Sequence, residues 1–330
     1  MKQRLLEYLS KISFINNFYS GIATIFLLHR VSDIDKNRLY PNENMKVSPS
    51  FLEEFIKSLK KSNKYEFMSL DELHKILINE KKVGKKHYVL FTLDDAYKDN
   101  YQIAYPIFKH YNIPFTIYIT TSFPNKKAIL WWYIIENLII QNDEIRICDK
   151  RFECRTYEEK NKVFFKLREI IINMNQKNLL FELNKLFQNY NINWYSMNED
   201  LCISWDEIKE LSQDELCTIG NHTENHYNFK YLSETEIINE IVNASNELES
   251  RIRKKIEHFA YPFGSSNEIG KREAEIVSRL NFKTVVTARH GTIYYKHKNY
   301  LNCCLPRVTL TNDFNIKSIG RIRKRRVVTL

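Results

Sequence analysis

The amino-acid sequence predicts a parallel α/β protein interrupted by a helical insertion. Three observations predict it. Short β-rich apolar runs alternate with longer helical patterns, the construction of successive βα units. Polar, chemistry-bearing residues stand at the carboxyl ends of several runs, where folds of this class gather their chemistry. Between residues 125 and 203 the alternation gives way to a mostly helical pattern rich in aromatics.

Taken in order, the first apolar run lies in GIATIFLLH, residues 21–29. Its Ile22–Leu28 core is too short to span a bilayer and suits a buried strand. The segment before it lacks a clean secretory apolar region and a small-residue cleavage site, and no other stretch qualifies as a transmembrane helix. Pro49-Ser50-Phe51 opens a helical pattern that continues as FLEEFIKSLKKS. Ser69 caps the next pattern, with Glu72 three residues on completing a capping box. Further strand runs are 87–95, 114–120, 216–222, 257–264, 283–288 and 305–310, and further helical patterns cover 98–111, 232–255 and 269–280. This divides the chain into a first part of the fold (1–124), an insertion or lid (125–203) and a second part (204–330). The insertion carries Trp131, Trp132, Trp194 and Tyr195, aromatics that suit either sugar stacking or an ordinary core.

With 330 residues, 43% hydrophobic and 27% charged, the chain is globular in composition, of one or two domains, and not disordered. Its net charge of +10 reads either as attraction to an anionic partner or as codon bias, since Lys, Asn, Ile and Tyr are abundant and only seven Gly occur. The run Arg321-Ile322-Arg323-Lys324-Arg325-Arg326 reads as contact with an anionic membrane surface or lipid-linked sugar phosphate, or as a solvated tail. No recognised nucleic-acid module accompanies the charge, which argues against nucleic acid as partner. The six cysteines form no C-x-x-C pair and fit reduced thiols in a cytoplasmic protein.

Two short patterns carry chemistry. His222-Thr223-Glu224-Asn225-His226 places two imidazoles four residues apart, on one face if the segment is a helical turn, where they can grip a divalent metal. It differs from the zincin motif H-E-x-x-H, because Glu224 is not at the general-base position. Asp94-Asp95 follows an apolar run: one carboxylate can bind metal while the other accepts protons, or both can serve a solvated turn or cap. One carboxylate and two histidines make a facial triad with open positions for water and a substrate oxygen, the arrangement of metal-assisted hydrolysis.

These residues resemble the polysaccharide deacetylase family, the NodB-homology group of carbohydrate esterase family 4. The family's T-F-D-D-G is matched by Thr92-Leu93-Asp94-Asp95-Ala96, its H-[ST]-x-x-H by His222 to His226, and its R-x-P-[YFW] is approached by Ala260-Tyr261-Pro262-Phe263-Gly264. Leu27-Leu28-His29 has the form of the family's late L-x-H motif, here ahead of the Asp pair, as in some bacterial exopolysaccharide deacetylases. The likeness extends from His29 to about Arg307 and leaves the insertion uncovered.

The resemblance implies a distorted (β/α) barrel of about seven parallel strands, and metal-dependent removal of an N-acetyl group from an amino sugar. By it, Asp95, His222 and His226 hold a divalent metal, with Zn2+ the default and Co2+, Ni2+, Mn2+ or Fe2+ as options. Asp94 is the general base, His29 protonates the departing amine, and the backbone N–H of Phe263 holds the oxyanion. Tyr261, Trp131 and Trp132 are candidate substrate contacts. The substrate is an N-acetylated glycan of the cell envelope or its lipid- or nucleotide-linked precursor, met in the cytoplasm or at the inner membrane face.

Two departures stand out. Ala96 replaces a Gly, so the turn after the Asp pair should not adopt a glycine-only conformation freely. Ala260 replaces the Arg that orients the base; Arg307 is a substitute from another strand end, with Arg30 the weaker candidate. The rival readings are a non-catalytic carbohydrate-binding protein on the same fold and, from the ligand set alone, a non-haem iron oxygenase.

Overall fold

The computed structural model describes residues 21–79 and 86–319. The Arg321–Arg326 run lies outside these residues. The strands, in chain order, are β1 (Ala23–Leu28), β2 (Arg30–Val31), β3 (Lys46–Val47), β4 (Tyr65–Phe67), β5 (His87–Leu93), β6 (Phe115–Ile119), β7 (Glu144–Ile147), β8 (Lys150–Glu153), β9 (Cys217–Asn221), β10 (His258–Ala260), β11 (Thr284–His290) and β12 (Leu305–Thr309). The helices are α1 (Tyr40–Glu43), α2 (Pro49–Lys61), α3 (Leu70–Ile78), α4 (Tyr105–His110), α5 (Trp131–Gln141), α6 (Tyr157–Ile172), α7 (Leu179–Leu186), α8 (Asn198–Leu201), α9 (Trp205–Gln213), α10 (Glu234–Ile252) and α11 (Lys271–Ser278).

Seven parallel strands close into a ring in the order β1, β5, β6, β9, β10, β11, β12 and back to β1. These are the seven runs read from the sequence. The short β4 was not among them: its three half-buried or exposed residues pair with the first residues of β5, on the edge that β6 occupies further along. β10 is shorter than the 257–264 run, because Pro262 lacks an N–H and Phe263 turns into a left-handed conformation (φ 61°). Likewise 98–111 is not one α-helix but a wide π-turn, Asn100–Ala104, leading into α4.

The strands read as continuous apolar runs because both faces are buried. Ala23, Ile25, Leu90, Tyr118, Ala260, Val286 and Leu305 pack inside the ring, with Leu73 and Leu77 of α3 joining the same cluster. Their neighbours, among them Phe26, Phe91, Phe115, Ile117, Phe259 and Val285, pack outward in a second cluster with α2, α4 and α10. The interior fits tightly at Gly220, where a Cβ would collide with the Tyr118 ring.

The segment between β6 and β9 forms its own core, built from Trp131, Ile134, Ile135, Ile139, Ile145, Phe164, Leu167, Phe187 and Trp194. It is not wholly helical: β7 and β8 form an antiparallel hairpin. Leu39, from the loop between β2 and α1, belongs to the same core. The fully buried Glu136 of α5 fastens that loop, accepting from Leu39 N (2.5 Å), Arg38 and Asn42 Nδ2 (2.8 Å). None of the described helices is long and apolar enough to cross a membrane.

Candidate active site

Parallel strands deliver their carboxyl ends to one face of the ring, and the residues singled out in the sequence arrive there together. Asp94 and Asp95 follow β5, His222 follows β9, His29 follows β1, and Arg307 lies within β12. Pairing of β1 with β5 sets His29 beside the Asp pair, with Asp94 N donating to Leu28 O at 2.9 Å. Asn100 of the π-turn donates to His29 O at 2.9 Å and steadies that strand end.

Asp95 Oδ1 lies 3.2 Å from His222 Nε2 and 3.3 Å from His226 Nε2. The three donor atoms all fall within 4.8 Å of one another. Asp95 Oδ1 is buried without a hydrogen-bond partner, a costly condition that a cation relieves. His222 Nδ1 donates to Ala260 O at 2.8 Å, which leaves its Nε2 lone pair facing Asp95. Two imidazole nitrogens and a carboxylate oxygen so disposed fit a divalent transition metal.

The H-x-x-x-H segment is not a helical turn, as its spacing allowed, but a loop folded back on itself. Thr223 (φ 71°) and His226 (φ 58°) are left-handed, and Thr223 Oγ1 accepts from His226 N at 3.0 Å. Buried neighbours hold the loop. Asn221 accepts from Thr223 N (2.6 Å) and donates to Ile241 O (2.8 Å) and Ser245 Oγ (2.7 Å). Glu240 accepts from Asn225 N (2.9 Å) and Nδ2 (2.7 Å), and burial pushes its carboxyl up to about 7. Neither residue belongs to the motif; Asn221 stands out in the sequence only as a polar residue at a strand's carboxyl end, and Glu240 not at all.

Asp94 is buried and clamped by Arg307, with Nη1 to Oδ1 at 2.7 Å and Nη2 to Oδ2 at 2.6 Å. Arg307 is itself buried, not at the surface, and is fixed by Thr287 O (2.9 Å) and Thr92 Oγ1 (3.0 Å). Arg30, the weaker candidate, is engaged elsewhere, with Asp99 (2.6 Å) and Tyr133 Oη (3.1 Å). Ala96 does adopt the glycine-like conformation (φ 71°), as Asp95 does (φ 76°). That strain, of order 1–3 kcal/mol per residue, is held by the chain returning from α8, where Ile203 N donates to Ala96 O at 3.3 Å.

Electrostatics separate the titratable groups. Burial pushes the Asp94 carboxyl up, but Arg307, His222 and His29 outweigh it and hold it below the usual carboxylate range. Burial also opposes ionisation of Asp95, and the three histidines overcome it. Burial lowers His226 to about 4 against the pull of Asp95, so this imidazole is neutral, the form that ligates metals. His222 is raised: burial works against its charge, but Asp94 and Asp95 prevail. Burial lowers His29, with Asp95 and Asp94 pulling the other way.

A cleft of about 400 Å³ opens over these residues, lined also by Trp132, Tyr133, Phe263 and the α1 segment. Trp132 lies 5.8 Å and Phe263 4.9 Å from the His226 ring, so the imidazole sits between two aromatics. The Phe263 N–H has no acceptor among the described residues. Tyr261 and Trp131 line the cleft but are mostly core: Tyr261 Oη donates to Cys303 O at 2.9 Å, and Trp131 is 5% exposed. Gly264 (φ 63°) is required beneath this turn, since a Cβ there would approach Ala288 N to 2.7 Å. All six cysteines are free thiols, and none belongs to the Asp95, His222 and His226 cluster.

Fold and site define an α/β barrel with a strand-end Asp-His-His cluster able to hold a cation, beside an arginine-clamped carboxylate. The polysaccharide deacetylase family model matches residues 81–285, well over half of the chain. The chain belongs to that family. A 57-residue stretch is 42% identical to YxkH of Bacillus subtilis, described as a candidate polysaccharide deacetylase; the match spans 17% of this chain and 20% of that protein. The fold is similar to that of the Streptococcus pyogenes deacetylase PplD in complex with acetate (TM-score 0.60, 18% identity, 92% of this chain and 98% of that one). It is similar also to IcaB from Ammonifex degensii (TM-score 0.55, 17% identity, 89% and 93% covered).

Proposed function

We propose that this protein removes an N-acetyl group from an amino sugar in a cell-envelope glycan, or in its lipid- or nucleotide-linked precursor, with a divalent cation held by Asp95, His222 and His226. The observation that carries the reading is the paired arrangement of the two carboxylates. Asp95 contacts both imidazoles while its neighbour Asp94 is gripped by Arg307, which favours its ionised form.

When bound, a cation at this position supplies Lewis-acid activation of water and of the acetamide carbonyl. Asp94 takes the proton from the attacking water, and Arg307 fixes the carboxylate that receives it. The unpaired Phe263 N–H donates to the oxyanion as it develops. His29, whose lowered pKa makes it a ready proton donor once charged, protonates the departing amine. The orienting arginine thus comes from β12 in place of the position taken by Ala260.

The test is acetate release. The protein stripped by chelation and reloaded with zinc, cobalt, nickel or manganese is assayed against a panel of N-acetylated amino sugars and oligosaccharides. Turnover is expected to vanish on chelation and return with one equivalent of metal. Stoichiometric metal with no acetate from any member of the panel would leave the carbohydrate-binding alternative in possession of the fold.

A further inference from the structure

The catalytic cleft does not end at the sugar that would carry the acetyl group. It runs under α6 to Phe165 and Arg168, and both residues also line a second cleft of about 450 Å³ on the far side. Arg168 is half-buried, and its guanidinium forms no ion pair or hydrogen bond among the described residues. The other arginine in the first cleft, Arg30, is bound to Asp99. The carboxylates lining that cleft, Asp94 and Asp95, are committed to Arg307 and to the histidine pair. Arg168 is therefore a cation without an anion, at the junction of two clefts.

The second cleft has the surface of a carbohydrate subsite. Phe165 is 51% and Tyr231 37% exposed, apolar ring faces of the kind on which sugars stack. Asn267 is exposed with its side-chain amide unengaged among the described residues, able to meet hydroxyls. Lys230 sits over the Tyr231 ring at 5.9 Å and makes no ion pair among the described residues. Two carboxylates also line this side. Glu268 is occupied by Ser265 Oγ, and Glu169, one position on from Arg168, points about 100° away around the helix.

We infer that Arg168 binds an anionic group on the substrate, a carboxylate or phosphate borne near the acetylated sugar, and that the substrate continues into the second cleft as a further unit. This rests on the deacetylase reading and names the class of glycan that it acts on: an anionic one of two or more units. A guanidinium meeting such a group in a half-buried site makes charge-assisted hydrogen bonds, each worth about 1.5–3 kcal/mol, or roughly tenfold in affinity and more.

The experiment compares the metal-loaded protein with Arg168→Ala and Arg168→Lys on three probes: neutral N-acetylchitotetraose, a hyaluronan tetrasaccharide carrying carboxylates, and UDP-N-acetylglucosamine carrying phosphates. Binding of the same probes is measured by calorimetry in an Asp94→Asn background, so that the result does not depend on turnover. An anionic probe is expected to be preferred over the neutral one, that preference to fall about tenfold in Arg168→Ala through KM, and Arg168→Lys to keep part of it. The probe that loses most identifies carboxylate or phosphate. Charge-dependent binding lost in Arg168→Ala, without acetate release from any probe, would reject the deacetylase reading and leave the anion subsite standing. Equal losses on neutral and anionic probes, no preference for charge, or no binding of any probe would overturn the subsite.

Discussion

The barrel and the segment inserted between β6 and β9 are built by different rules. The barrel fixes its residues by strand register. Asp94, His222 and Arg307 stand where they do because the strands carrying them are locked by ladders of backbone hydrogen bonds. The inserted segment has a separate apolar core and reaches the cleft through side chains on α5 and α6, tied down by a few polar contacts such as Trp132 Nε1 to Tyr97 Oη at 3.0 Å and Glu136 to the loop between β2 and α1. On the function proposed above, the difference is a division of labour: the ring carries the groups assigned to the reaction, and the insertion lines the cleft in which a substrate would lie.

The largest effect should come from the ring. Asp94→Asn is expected to lower kcat about a thousandfold while metal content, read by mass spectrometry, stays near one equivalent. Activity near that of the parent protein would remove Asp94 from the base role, and with it the contrast between a reacting ring and a selecting wall.

Next in size is the clamp. Arg307→Lys keeps the charge but cannot make the bidentate grip, and should cost about 10–100-fold in kcat. Its signature is in the pH profile. Arg307 holds the Asp94 carboxyl down, so a weaker grip raises it, and the acidic limb of the profile moves to higher pH. A drop in rate with no movement of that limb would mean that Arg307 acts on something other than the base.

The smallest effect is expected in the insertion. Glu136→Ala strands the amide of Leu39 and leaves Asn42 Nδ2 with Trp132 O alone. Arg38 is a quarter exposed and can turn to water, so the loss should be about 2 kcal/mol and not the 3–5 kcal/mol of a fully buried pair. Scanning calorimetry should show a lower melting temperature, with KM for oligosaccharides affected more than kcat. A larger effect on kcat than on KM would show that the insertion participates in the chemistry after all.

Much of the fold was legible because a strand buried on both faces leaves a mainly apolar, β-rich run, and all seven ring strands lie within one. β4 left none, being three residues of a half-exposed edge. The β7–β8 hairpin was hidden in a region whose helices dominate the pattern. At the site, Asp94, Asp95, His222 and His226 announced themselves by spacing. The helical turn inferred for the two histidines was wrong because Asn221 and Thr223 offer the backbone local hydrogen bonds that favour a loop, and Glu240 of α10 secures it. Arg168 left no mark at all, because a single helical arginine looks the same in sequence whether it faces water or a cleft.

The sequence by itself determined which segments become the seven ring strands and which side chains are candidates to hold a cation and move protons, since hydrophobic period and donor chemistry are local properties. Only the tertiary structure decided that Arg307, more than two hundred residues from Asp94, closes on it, that Ala96 accepts a left-handed turn, and that α6 hangs an unpaired guanidinium over the cleft. Those outcomes depend on ring closure and on the docking of one core against another, which bring together residues that have no relation along the chain.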